Sequence, residues 1–367
     1  MKRVFLYAYD KVNLGDDLFV HTIAKRYPKV QFYIWTNKEN ISTFSELPNL
    51  RVIDEDSKFL KLLQKIRPSL ISRYKAALEK KCEAVVYIGG SLFIEYDNWE
   101  QILSWWEYEA KNRPFYVLGA NFGPYKSEEY RKKLDAIFAN VKDICFRDTY
   151  SYEKFEGNPQ VRCASDILFS LEMPKVEYIK KQIFVSLIDL ETKDEGQNKL
   201  SMYEDEYLHY MESIVRDYAQ RGYQVVLSSF CKHEGDERAI DKIKTLLGGD
   251  FDEQICELKY DGTNSTELLL AIAESEGIVT SRFHGVILGL AAGRPVFPVV
   301  YSDKTINVLK DMSFQGAYAD IRALQEAKSA MVIQEAALVE SVEELKVSAQ
   351  KHFEKLDEVF KGSYRGL

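Results

Sequence analysis

The chain has 367 residues, with 57 Asp and Glu against 49 Lys and Arg, and its net charge of −8 excludes a broad nucleic-acid surface as its main purpose. A composition of 46% hydrophobic and 29% charged residues excludes wholesale disorder, and the length is that of about two domains. Five scattered cysteines without a CxxC pair, no leader-type apolar core behind MKRVFLYAYD, and no run of the ~18 apolar residues a membrane span needs predict a reduced cytoplasmic protein.

Along the first half, short apolar runs alternate with helical stretches. RVFLYAY predicts a strand, DLFVHTIAKRY a helix, and VQFYIWT and RVID two more strands. FLKLLQKIRPSLISRYKAALEKK is helical with an interruption at Pro68. EAVVYIGG reads as a buried strand ending in glycines, WEQILSWWEYEAKN as a helix, and PFYVLGANFGP as strand and loop. EEYRKKLDAIFANV and DICFRD continue as helix and strand. Such alternation predicts a doubly wound parallel sheet.

A polar segment with a proline, LEMPKVEYIKKQ at 171–182, then separates a second set of the same kind. Strand IFVSLIDL, helix YEDEYLHYMESIVRDYAQRG, strand YQVVLSSF, helix DERAIDKIKTLLGG, strand ICELKY, helix STELLLAIAESE and strand GIVTS follow one another. TSRFHGVILGLAAGRPVF and strand PVFPVVYS close it. From about 325 onward, apolar positions 338, 342, 345, 349, 353, 356 and 360 keep helical spacing. The expected architecture is α/β: a Rossmann-like domain over 1–172, a second over 180–325, and an amphipathic C-terminal helical segment over 326–367. Two such domains have parallel sheets facing across a cleft, at the strand ends where open α/β sheets bind ligands. Cys82, Cys145 and Cys256 lie in or beside apolar runs and are expected to be buried.

Several strand ends carry residues suited to chemistry. In VNLGDD (12–17), Asn13 and Gly15 suit a tight turn, with Asp16 or Asp17 capping a helix that starts at Leu18. The same loop also suits contact between Asn13 or Asp16 and a hydroxylated acceptor. Gly89, Gly90 and Ser91 in YIGGSLF, and the glycines of LGANFGP, form either plain turns or backbone nests for an anion. Arg147 in ICFRDTYSYEKF is either one half of a structural pair with Asp148 or a cleft arginine offering its fork to a carboxylate or phosphate. Asp166 in CASDILF orients Arg147 or caps a turn. Arg282 and His284 fall at a strand-to-helix junction, where helix N–H groups favour an anion. Lys304 follows the next strand, as a solvated lysine or a member of the same cleft. The five histidines show no metal-ligand spacing.

NLGDD, GGSLF, LGANFGP, FRDTYS, SDILF and SRFHGVILGLAAGRPVFPVVYSDK, in this order between 13 and about 311, resemble the polysaccharide pyruvyl transferase family. The resemblance implies a GT-B-like pair of Rossmann-type domains. It also implies transfer of a pyruvyl group from phosphoenolpyruvate to sugar hydroxyls in exopolysaccharide or cell-wall polysaccharide synthesis, without a cofactor or metal. Arg147, Arg282 and Lys304 would then surround the donor's carboxylate and phosphate, and His284 would be the acid. Asn13, Gly15, Asp16, Gly89, Gly90, Ser91 and Asp166 would lie on the acceptor side. The partners expected are phosphoenolpyruvate and a sugar or lipid-linked oligosaccharide, with no nucleic acid; a peripheral membrane contact stays open. The chain departs from the family at Lys11 and Val12, where more glycine is usual, and in the polar stretch 190–205. A GT-B glycosyltransferase with a nucleotide-sugar donor is the first alternative, although GVILGLAAGRP lacks the acid that would grip a ribose. A non-catalytic glycan-binding scaffold is the second.

Overall fold

Val4, Phe5 and Leu6 in strand β1 (Lys2–Tyr7) are wholly buried, as happens in a parallel sheet covered on both faces. In the computed structural model, which describes residues 1–67, 69–194, 199–326 and 341–362, β1 pairs with β2 (Val30–Thr36) and β4 (Ala84–Ile88). Adding β3 (Leu50–Asp54), β5 (Ser91–Phe93), β6 (Phe115–Phe122), β7 (Asp143–Phe146) and β8 (Val161–Cys163) gives the order β3-β2-β1-β4-β6-β7-β8, with β5 beside β6. A second sheet is built from β9 (Lys180–Ser186), β10 (Gln224–Ser229), β11 (Ile255–Lys259), β12 (Ser275–Thr280), β13 (Val296–Val300) and β14 (Ala319–Asp320). Its order is β11-β10-β9-β12-β13-β14. The ladders are parallel, and both sheets reverse their direction of winding beside the first strand, at β1/β4 and at β9/β12. In doubly wound sheets such a reversal opens a crevice at the strands' carboxyl ends. These are the two Rossmann-like α/β sheets that the alternation predicts.

The chain divides into two units. Unit 1 comprises Met1–Lys11, Asp16–Ser170 and the segment from Leu345 onward; unit 2 comprises Val12–Gly15 and Leu171–Glu344. Composition gave no sign that four residues near the start belong with the second sheet. Each unit has its own core. Phe93, Trp106, Phe115, Phe138, Phe146 and Phe155 pack in unit 1, whereas Tyr207, Met211, Ile214, Ile240 and Val279 pack in unit 2.

The first helix, α1, spans Leu14–Arg26 and so starts four residues before the expected Leu18. Asn13 precedes it and its Oδ1 accepts from Gly15 N at 3.2 Å, so the cap is Asn13 and the two aspartates lie inside the first turn. Helices α2 (Lys58–Ile66) and α3 (Ser69–Glu79) flank Pro68 as expected, followed by α4 (Trp99–Asn112), α5 (Glu128–Phe138) and α6 (Thr149–Glu153). Unit 2 contributes α7 (Glu204–Gln220), α8 (Asp236–Leu247), α9 (Ser265–Glu274), α10 (Phe283–Ala291) and α11 (Asp303–Asp311). At the C-terminus the single expected helix is α12 (Val342–Gln350), a 3-10 turn over 351–353, and α13 (Glu354–Val359); position 338 lies outside the described residues.

Of the apolar positions expected to face inward, Ala349, Phe353, Leu356 and Phe360 are fully buried, whereas Val342 and Leu345 are only half-buried. Tyr27 lies between the Phe353 and Phe360 rings and donates to Asp357 Oδ1 at 2.7 Å, while Arg26 grips the same carboxylate at 3.1 and 2.5 Å. His352 Nε2 donates to Ser165 O at 2.8 Å. Cys145 is buried as expected, but Cys82 is only half-buried and Cys256 is exposed, because β11 is an edge strand. No helix among the described residues is long and apolar enough to cross a membrane.

Candidate functional site

Strand β12 ends at Thr280 and α10 begins at Phe283, so Arg282 is the N-cap and His284 lies in the first turn. The junction is held from several sides. Thr280 Oγ1 is 2.5 Å from Ser186 Oγ and donates to Arg282 O at 3.0 Å. Ser281 Oγ lies 2.9 Å from the buried Tyr207 hydroxyl, which in turn accepts from Ile188 N at 3.2 Å. Gly285 is required by packing: a Cβ there would sit 2.0 Å from Thr280 Oγ1.

The Arg282 side chain turns away from solvent onto two carboxylates. Its Nε donates to Asp236 Oδ2 at 2.8 Å, its Nη2 to Asp236 Oδ1, and its Nη1 to Glu234 Oε2 at 2.6 Å. Asp236 Oδ2 also accepts from Phe230 N and Cys231 N, both at 2.9 Å. A fully buried aspartate thus binds the loop after β10 to the loop after β12. Glu234 also pairs with Lys193. Burial alone would raise the Glu234 carboxyl, but Arg282 and Lys193 outweigh it and hold it down at about 2. The cluster of two cations and two carboxylates is neutral, which is what lets Arg282 stay charged at 7% exposure.

His284 remains half-buried, its ring 5.2 Å from that of Phe283 and nearly perpendicular to it. Gly15 lies against the imidazole, and a Cβ on Gly15 would fall 1.7 Å from His284 Nδ1. Leu14 N donates to Phe230 O at 3.0 Å, and this bond fixes the Val12–Gly15 piece beside the β10 loop. Gly15, expected on the acceptor side, therefore shapes the seat of the histidine. Lys304 occupies the first turn of α11, after β13, the strand next to β12; His284 and Lys304 both follow the carboxyl ends of adjacent strands.

The remaining candidates belong to unit 1. Gly89 and Gly90 follow β4, at the winding reversal, and Ser91 is exposed at the start of β5. Arg147, just past β7, donates to Asp166 Oδ2 and to Asn121 Oδ1, each at 3.0 Å. Its guanidinium lies so close over Gly90 that a Cβ there would meet Nη2 at 2.5 Å. Asp166 does both things expected of it, holding Arg147 and accepting from Leu168 N at 2.9 Å. Asp148 caps α6 through Ser151 N at 2.8 Å. Residue-by-residue reading missed Asp236, Glu234, Lys193 and Asn121. A signal existed for Asp236 alone, as the acid opening a helix after glycine in HEGDERAID. Among the described residues no group of three or more His, Cys, Asp or Glu could hold a metal ion.

Comparison with known proteins bears on this geometry. The family model described as polysaccharide pyruvyl transferase matches residues 13–303, from the Asn13 cap to the start of α11. The amylovoran biosynthesis protein AmsJ of Erwinia amylovora is 24% identical over 267 residues; the match takes in 67% of this chain and 63% of that protein. Among solved structures, Anabaena Alr3699/HepE in complex with UDP and glucose superposes with a TM-score of 0.51 at 11% identity, covering 97% of this chain and 96% of that one. UDP-GlcNAc 2-epimerase from Methanocaldococcus jannaschii gives 0.56 at 11% identity, with 98% and 100% covered. At this identity the two structures speak for the fold, which is GT-B-like.

Proposed function

Since the chain belongs to the polysaccharide pyruvyl transferase family, we propose that it transfers the three-carbon unit of phosphoenolpyruvate onto two hydroxyls of a sugar, forming a pyruvate ketal. The likeness to an amylovoran biosynthesis protein supports an exopolysaccharide setting, with a free or lipid-linked sugar as acceptor. The observation that carries the reading is the β12–α10 junction. It presents a half-buried imidazole at a helix N-terminus, seated on a glycine and backed by a rigid, charge-neutral cluster.

His284 is the proton donor in this reading, because protonating the methylene of an enol phosphate needs an acid that titrates near neutrality. The proton adds to the methylene carbon of the donor and makes it a methyl group, leaving positive charge at the central carbon. One sugar hydroxyl adds there and loses its proton. The bond from that carbon to the phosphate oxygen breaks, inorganic phosphate leaves, and a second hydroxyl closes the ketal with loss of its own proton. Of the two hydroxyl protons, one balances the proton taken from His284 and the other leaves with phosphate. The donor's anionic groups find the α10 N-terminus and Lys304 at the carboxyl ends of the neighbouring strands β12 and β13. Arg282 positions the junction, and an anion reaches its guanidinium only by exchanging with Glu234, whose side chain is 26% exposed.

The test is phosphate release from phosphoenolpyruvate with a panel of glycosyl acceptors, for the wild type and for His284→Ala. Acceptor-dependent release that the variant loses by about 100-fold or more supports the assignment. Full release by the variant removes His284 as the acid. Turnover of a nucleotide sugar in place of phosphoenolpyruvate moves the chain to glycosyl transfer.

A further inference from the structure

Helix α2 is amphipathic, and much of its apolar face is uncovered. Leu60 is buried and Leu63 half-buried on one side of its apolar face, while Phe59, Leu62 and Ile66 form a stripe along the other side of that face that is 59%, 57% and 66% exposed. At 100° per residue these three lie within one quarter of the helix circumference, and Lys58, Lys61 and Lys65 fall together along the flank of the stripe. From 57 to 78 the sequence has six cations and no carboxylate, in a chain of net charge −8. Lys75 turns inward over the Tyr7 ring, 4.5 Å from its centroid, and Lys61 pairs with Asp56 at 3.1 Å; Lys58, Lys65, Arg67 and Arg73 face solvent.

A second feature adjoins the stripe. The Phe59 ring is 6.2 Å from that of Tyr74 on α3, and Tyr74 also lines a cavity of about 300 Å³ with Arg3, Arg51 and Lys81. None of these three cations forms an ion pair with a described residue; the nearby Glu83 accepts from the Arg3 backbone instead. Arg3 and Arg51 lie near the amino ends of β1 and β3, remote from the carboxyl-end loop 89–91.

We propose that the α2–α3 hairpin docks unit 1 onto an anionic lipid bilayer. Phe59, Leu62 and Ile66 enter the headgroup–acyl boundary, the flanking lysines face the anionic headgroups, and the Arg3–Arg51–Lys81 cavity receives a lipid phosphate. Exposed apolar side chains beside a cationic flank are the combination by which helices lie in a membrane interface, where the apolar part supplies depth and the charges select anionic lipid. A second copy of the chain would have to bury the same lysines against their own kind.

Vesicle flotation tests this with the full chain. Phosphatidylcholine vesicles alone are compared with an equal mixture of phosphatidylcholine and phosphatidylglycerol, at low and high salt. The wild type is expected to float with the mixed vesicles, to remain unbound to the neutral ones, and to be released as salt rises. The variant Phe59→Ser/Leu62→Ser/Ile66→Ser should lose at least about tenfold in partitioning, and so should Arg3→Gln/Arg51→Gln/Lys81→Gln. Circular dichroism and the unfolding midpoint check that each variant folds; Lys58→Glu/Lys65→Glu replaces the serine variant if that one does not. Failure of the wild type to float, or flotation of the α2 variants equal to the wild type, overturns the proposal. So does light scattering that shows a dimer which the serine variant breaks, without vesicle binding.

Discussion

Asp236 grips Arg282 through both carboxylate oxygens, while one of those oxygens also holds the backbone of Phe230 and Cys231. The two residues are 46 positions apart, and their bond ties the β12–α10 junction to the start of α8. Asp236→Asn leaves a buried guanidinium facing Glu234 alone. The expected cost is about 3 kcal/mol of stability, read as a lowered urea midpoint. Arg282→Lys should cost nearly as much, because an ammonium cannot reproduce the planar fork. A wild-type midpoint in either variant would mean that the pair does not secure the junction.

Gly15→Ala is a probe of His284 that touches no charged group. The added methyl would overlap the imidazole, so the ring must leave its seat. Alanine is at least as good as glycine in a first helical turn, so the unfolding midpoint should stay close to that of the wild type. Phosphate release from phosphoenolpyruvate should fall by about 100-fold. Unchanged turnover would show that the observed ring position is not the working one.

His352 gives a pH dependence with a definite sign. Burial, with smaller contributions from Arg162 and Arg147, lowers it from 6.5 to about 3, against the bond to Ser165 O. The folded chain keeps it neutral while the unfolded chain takes up a proton, so stability is lost as pH falls from about 6.5 towards 3. His352→Gln should be less stable at neutral pH yet show a flatter decline between about pH 6.5 and 5. Parallel curves for the two proteins would show that this histidine does not govern the decline.

Glu109 behaves in the opposite way. Burial first, then the charge of Glu79, raises its carboxyl to about 7, and its Oε2 has no hydrogen-bond partner among the described residues. Because its folded value lies above the unfolded one, its contribution is present at acid pH and is lost as pH rises from 4.5 through about 7. Glu109→Gln is expected to raise stability by about 1 kcal/mol at pH above 7 and to lose that advantage near pH 5. Thermal unfolding of both proteins at the two pH values is the check.

Much of the fold was legible because parallel strands and their helices write alternating apolar patterns into the chain. β5 was not, since three residues are too few to show a period, and β8 showed only as the strand end before Asp166. The start of α1 was misplaced because Asn13, Asp16 and Asp17 are all competent caps, and only the fold shows Asn13 bonded to Gly15 N. At the junction, the residue types of Arg282 and His284 and their position between strand and helix could be read directly. The partners of Arg282 could not. Glu234 and Asp236 stand in KHEGDER, a segment as polar as any surface loop, and only the return of β12 beside β9 brings Arg282 to them. The contact of Gly15 with His284 spans most of the chain and leaves no local pattern at all.

The segment from Leu345 onward that belongs to unit 1 also sets an order of events during synthesis. Translation finishes every strand of unit 2 before α12 and α13 exist, so the later unit of the sequence is the first that can close. Until then Tyr27, Arg26 and Arg162 wait without Phe353, Asp357 and Glu354, and the nascent first sheet shows an aromatic and cationic slot to whatever attends the ribosome. A chain stopped after residue 344 would remain in that state. Its weakness would lie in the half that was translated first.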